Sequence, residues 1–190
     1  MKMDFITLDE IKKQLTEVDI QLSSLILSKN QIDSIKNQID LNPPEELRKG
    51  NCLLNAYKVA ENANAEIVEG VAYVTVENDV MQSETIIKHA WNSFNGNYFD
   101  ITKDFVWSNL SVKLIHIEYY VLGSFPLNTY KTDGNILEFK SNADLIASSL
   151  RYFTTKKNVL IILNSLGLEK KYHEKLLKEC IDEVKNKSHE

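Results

Sequence analysis

The chain has 190 residues, 43% of them hydrophobic and 26% charged, with a formal net charge of −5. That length suits one domain with one substantial core, and the composition is that of an ordinary globular protein. The acidic balance argues against a general nucleic-acid binder, which needs a basic face to neutralise phosphates, and no apolar run approaches the roughly 20 residues of a membrane helix.

The first residues, Met1-Lys2-Met3-Asp4-Phe5, lead into a charged, amphipathic stretch without the apolar core of a signal peptide, so the expected compartment is the cytoplasm. Thr7-Leu8-Asp9-Glu10 has the form of a capping box. Leu8, Ile11, Leu15 and Val18 follow at helical spacing, and a second apolar set runs through Leu22, Leu25 and Ile32. Asn42-Pro43-Pro44 stops any helix. Residues 1–42 are therefore expected to be a helical arm or lid on a core of residues 43–190, the whole forming a single domain.

Asn51 is an expected N-cap for a helix over 52–62, with Leu53, Ala56, Tyr57 and Ala60 on its apolar stripe. Residues 70–77 have strand composition, with Val71, Tyr73 and the run Val74-Thr75-Val76. Residues 85–94 and 97–102 read as a hairpin, because Asn95-Gly96 is a preferred two-residue turn. A long β-type run follows over 112–122. The remainder, 142–153, 158–166 and 168–184, reads as helices, although 159–163 also has the composition of a buried strand. The fold class is α+β, with antiparallel strands between helices.

Two cysteines differ in their surroundings. Cys180 shares an apolar helical face with Leu168, Tyr172, Leu176, Leu177, Ile181 and Val184, where a thiol behaves as a small hydrophobe. Cys52 opens a helix directly after Gly50-Asn51, where free amides and the helix dipole favour a thiolate and can hold an oxyanion. A buried cysteine that merely begins a core helix would look the same. The hairpin adds chemistry: with a two-residue turn, Phe94 faces Asn97 and Trp91 faces Asp100, while His89 and Trp91 share a face. A His–carboxylate pair follows from register alone, as an acid/base requires. The competing reading is a solvated hairpin face, against which stands Trp91.

Gly50-Asn51-Cys52, Asn55-Ala56, His89-Ala90-Trp91-Asn92 and Asn95-Gly96-Asn97-Tyr98-Phe99-Asp100-Ile101-Thr102 together resemble the core of the transglutaminase-like superfamily of papain-related thiol enzymes. The resemblance covers about residues 47–125 and rests on a Cys opening a helix, a His-Ala-Trp strand and a Gly-aromatic-x-Asp-x-Thr strand. It implies a transglutaminase-like core with extra helices at both ends, and acyl transfer on a protein or peptide substrate by nucleophile Cys52, acid/base His89 and orienting Asp100. Trp91 and Asn51 are the expected substrate contacts. No cofactor or metal is implied, and neither a nucleic acid nor a membrane. The chain departs from the family pattern in having Ile101 where a proline is common, a short His-to-Asp interval, and no glutamine in Pro44-Glu45-Glu46-Leu47-Arg48-Lys49 to donate to an oxyanion. Other readings of the same residues are a metal site that adds His116, an arylamine acetyltransferase, and an idle protein of this fold that only binds a partner.

Overall fold

The computed structural model describes residues 8–39, 51–77, 82–107, 113–130 and 137–154. In chain order these form α1 (Leu8–Gln14), β1 (Thr16–Val18), β2 (Ile20–Gln21), α2 (Ser23–Ile26), α3 (Lys29–Gln38), α4 (Asn51–Ala63), β3 (Glu66–Glu77) and β4 (Gln82–Phe94). There follow β5 (Asn97–Phe99), a π-helical stretch (Thr102–Val106), β6 (Lys113–Phe125), a 3-10 turn (Leu127–Thr129) and α5 (Ala143–Thr154). The class is mixed α+β. Thr7, the 42–44 stop and the two helices expected beyond 157, with Cys180, lie outside the described residues.

The sheet has six strands in the order β1-β6-β3-β4-β5-β2. β3 lies between β4 and β6, antiparallel to both, and is buried continuously from residue 67 to 75 because neighbours cover both its faces. At Gly70 an added Cβ would stand 2.0 Å from the Tyr120 carbonyl oxygen and 2.8 Å from the Trp91 ring, so only glycine fits there. The hairpin forms with the expected register, Phe94 facing Asn97 and Asn92 facing Phe99. Its two turn residues both take positive φ, 50° at Asn95 and 78° at Gly96, the backbone that matches strand twist.

The N-terminal segment departs from the continuous helical reading. Thr16, Val18 and Ile20 alternate β-branched residues with acidic ones, and this period of two prevails over the helical spacing of Leu15, Val18 and Leu22. β1 pairs antiparallel with β6 and β2 pairs parallel with β5, at opposite edges of the sheet. Only Asp19 separates these two strands, so the sheet is nearly closed on itself. Leu22 and Leu25, expected on a packed helical face, are 53% and 72% exposed. Ile32 is buried as expected, with Ile11, Ile35 and Ile39.

Inside the nearly closed sheet, Val68, Ala72, Val74, Trp91 and Tyr119 pack with Val18, Ile20, Tyr98 and Trp107. Outside it, Cys52, Leu53, Ala56 and Ala60 of α4 pack on Ile67 and Ala90. A second outer cluster joins α3 to α4 through Ile32, Ile35, Val59 and Ala63, and takes in Phe99 and Ile101. Each such large apolar side chain contributes about 1.5–3 kcal/mol on burial, more than the spread of ordinary helix propensities of about 0.7 kcal/mol. Packing therefore sets where α4 sits. Among the described residues no helix is long and apolar enough to cross a membrane.

Candidate active site

His89 faces Gly70 in the β3–β4 ladder. β5 covers only Asn92–Phe94 of β4 and stops at Phe99, so Asp100, the next residue, turns back toward His89. The His89 Nε2 donates to Asp100 Oδ2 at 2.7 Å, and the two residues are 1% exposed each. Cys52, the second residue of α4, lies close enough to the ring to raise its proton affinity. With Nε2 committed to the carboxylate, Nδ1 is the nitrogen available to the thiol. Three aromatic rings enclose the imidazole: Trp91, Trp107 and Tyr119, each with its centroid 5.9 Å away.

Asp100 is held by more than His89. Its Oδ2 also accepts from the Tyr119 hydroxyl at 2.8 Å, and its Oδ1 accepts from the Thr102 amide at 2.9 Å. The second bond is an Asx-type turn, and the Asp104 amide adds a bond to the Asp100 carbonyl at 3.1 Å. The chain therefore leaves the sheet at Asp100 and enters the π-helical stretch, where 97–102 was expected to continue as strand. Asn55, one turn along α4 from Cys52, donates its amide to Thr102 Oγ1 at 3.0 Å within the core. This bond couples the helix that carries the thiol to the turn that carries the carboxylate.

Burial on its own would disfavour the charged imidazolium. The Asp100 charge and hydrogen bond outweigh that, with Cys52 adding to them, and the proton affinity of His89 is pushed up to about 10. Burial likewise opposes ionisation of Asp100, but the His89 charge, the Tyr119 hydroxyl and the Lys103 amide hold it below the usual carboxylate range. A proton therefore rests on His89 at neutral pH, poised between a sulfur and a fixed anion.

The three residues expected to act together do meet, in the order thiol, imidazole, carboxylate. Trp91 requires correction as a substrate contact: it is 1% exposed and stacks on His89 inside the sheet, so it walls the site from within. Asn51 is the first described residue of α4 and is partly exposed. His116 is not drawn to Cys52, His89 and Asp100; it is exposed and pairs with Glu118 at 2.7 Å. Among the described residues no three His, Cys, Asp or Glu side chains group closely enough to hold a metal. Sequence reasoning missed Trp107 and Tyr119 as neighbours of the site, and quoted Asn55 in the resemblance without giving it a role. For Thr102 the signal was present, since Asp-x-Thr is an Asx-turn pattern as much as a strand end. The chain matches no family model, no curated protein and no solved structure.

Proposed function

We propose that this protein is a thiol-dependent acyl-transfer enzyme of transglutaminase-like, papain-related type, acting on amide bonds of a protein or peptide. The observation that supports the reading is His89, a buried imidazole bonded to the Asp100 carboxylate, with Cys52 near enough to raise its proton affinity. Cys52 attacks the acyl carbon as a thiolate whose proton rests on His89, forming a carbon–sulfur bond as the carbonyl electron pair moves to oxygen. The oxyanion gathers at the first-turn amides of α4. His89 gives its proton to the leaving nitrogen as the carbon–nitrogen bond breaks, leaving a thioester. His89 then takes a proton from water, whose oxygen displaces the sulfur and releases a carboxylic acid; an amine in place of water yields a new amide. Asp100 holds the ring in position throughout.

A second reading, a protein of this fold that binds a partner without turnover, draws on the burial of Cys52, which is 6% exposed. An acyl-donor probe library separates the two. The enzyme reading expects a thioester mass on the peptide containing Cys52 and none in Cys52→Ala. Equal labelling of both proteins, or labelling elsewhere in the chain, favours the binding protein.

A further inference from the structure

Tyr119 stands on β6, with β3 between its strand and that of His89, yet its side chain reaches the carboxylate. Its backbone is held on both sides, facing Val18 of β1 and Ala72 of β3. The residue is 3% exposed, with its ring centroid 5.2 Å from Trp91 and 5.9 Å from His89. A phenylalanine would fill that space without the cost of desolvating a hydroxyl. The hydroxyl has a specific use: it donates to Asp100 Oδ2, the same oxygen that accepts from His89. With the Thr102 amide on Oδ1, both carboxylate oxygens are engaged and the group cannot rotate.

We propose that Tyr119 is a positioning residue of the acyl-transfer site, its hydroxyl and the Thr102 amide together clamping Asp100 so that Oδ2 is aimed at His89 Nε2. The proposal rests on the acyl-transfer reading above, but its test does not depend on turnover alone. Tyr119 donates to a group that is useful only as an anion, so the hydroxyl makes protonation of Asp100 harder. The titratable and charged groups around the pair are Cys52 from α4, His89 from β4, Tyr119 from β6 and Asp104 from the π-helical stretch. Of these, Tyr119 can lose its hydrogen bond while keeping its shape.

The experiment compares the full-length protein with Tyr119→Phe, each checked for folding by circular dichroism. Carbon-13 NMR follows the Asp100 carboxyl, and the rate of Cys52 alkylation by iodoacetamide is measured against pH. In Tyr119→Phe the Asp100 midpoint and the acid limb of alkylation should both move to higher pH. The kcat for the acyl donor that labels Cys52 should fall about tenfold at unchanged KM, the scale of one hydrogen bond to a charged group. A 3-fluorotyrosine at position 119, a stronger donor of nearly the same shape, should move the midpoint the other way. Coincident midpoints in folded wild type and Tyr119→Phe would overturn the proposal and leave Tyr119 as packing. A shifted midpoint with no turnover of any acyl donor by either protein would support the clamp and sink the acyl-transfer reading.

Discussion

Asp100 and Glu69 are two carboxylates buried against the same sheet, 1% and 0% exposed. Each accepts from a tyrosine hydroxyl and from backbone amides: Tyr119 and Thr102 for Asp100, Tyr130, Lys140 and Ser141 for Glu69. They differ in one partner. Asp100 has an imidazole at 2.7 Å, whereas every donor seen on Glu69 is neutral and keeps its proton at neutral pH. Glu69 therefore fastens residues 140–141, just before α5, to the central strand through fixed donors. Asp100 shares its charge with a group that can hand a proton on. Burial and hydrogen bonding alone do not distinguish a site from a brace; a partner able to change protonation does.

Substitution by alanine should separate the two most widely. Asp100→Ala removes the group that orients His89, and turnover should fall by about ten-thousand-fold while KM changes little. Glu69→Ala should leave turnover per folded molecule near wild type. It strands the Tyr130 hydroxyl and the Lys140 and Ser141 amides, so unfolding free energy should drop by on the order of 3 kcal/mol, read from urea denaturation. An active Asp100→Ala, or a stable but inactive Glu69→Ala, would reverse the assignment of roles.

The pH dependence of stability sharpens the contrast. His89 binds its proton more tightly folded, at about 10, than at its ordinary 6.5. The stability this contributes is fully present below 6.5 and is lost as pH rises through about 10. The Asp100 side of the same pair is present above the ordinary 3.8 and is lost as pH falls through its lower folded value. Wild type should accordingly weaken between 6.5 and 10. In Asp100→Asn the largest raising charge is gone and burial is opposed only by the smaller influence of Cys52, so that alkaline loss should shrink. Glu69→Gln should keep the wild-type profile on a lower baseline. A wild-type profile flat across that range would argue against a charged His89.

What could be read in advance follows from how local the information is. The hairpin was legible because Asn95-Gly96 dictates both turn type and register. That register brings Asp100 to the end of the ladder near His89, although the expected Trp91–Asp100 pairing gives way to the turn at Asp100. α4 and α5 were legible from apolar spacing. The early strands were not, since three residues at Thr16–Val18 and two at Ile20–Gln21 make a weak period-two signal beside a longer helical one. Closure of the sheet through Asp19 depends on two pairings with distant strands. Tyr119 was invisible for the same reason: its place beside Asp100 requires β6 to lie on β3, with register shifts at Glu69/Gly70 and Thr75/Val76 that no local pattern announces. Glu69 lies just before the strand expected over 70–77, and only residues some seventy positions later explain its burial.

Tyr130→Phe is the smallest change and the closest control for Tyr119→Phe, because both remove one phenol hydroxyl from one buried carboxylate. Glu69 would still accept from the Lys140 amide at 2.8 and 2.9 Å and from the Ser141 amide at 2.6 Å. The ring would keep its edge-on contact with Phe125, at 6.2 Å between centroids. The expected loss is therefore that of a single bond, about 1–2 kcal/mol in unfolding free energy. Activity and the acid limb of Cys52 alkylation should not move. The control is demanding because Tyr130 and Cys52 belong to one packed cluster, and Glu69 directly precedes Gly70, which faces His89 in the ladder. If Tyr130→Phe shifts the acid limb as Tyr119→Phe is expected to, the two carboxylates are coupled through β3 and Glu69 is part of the site.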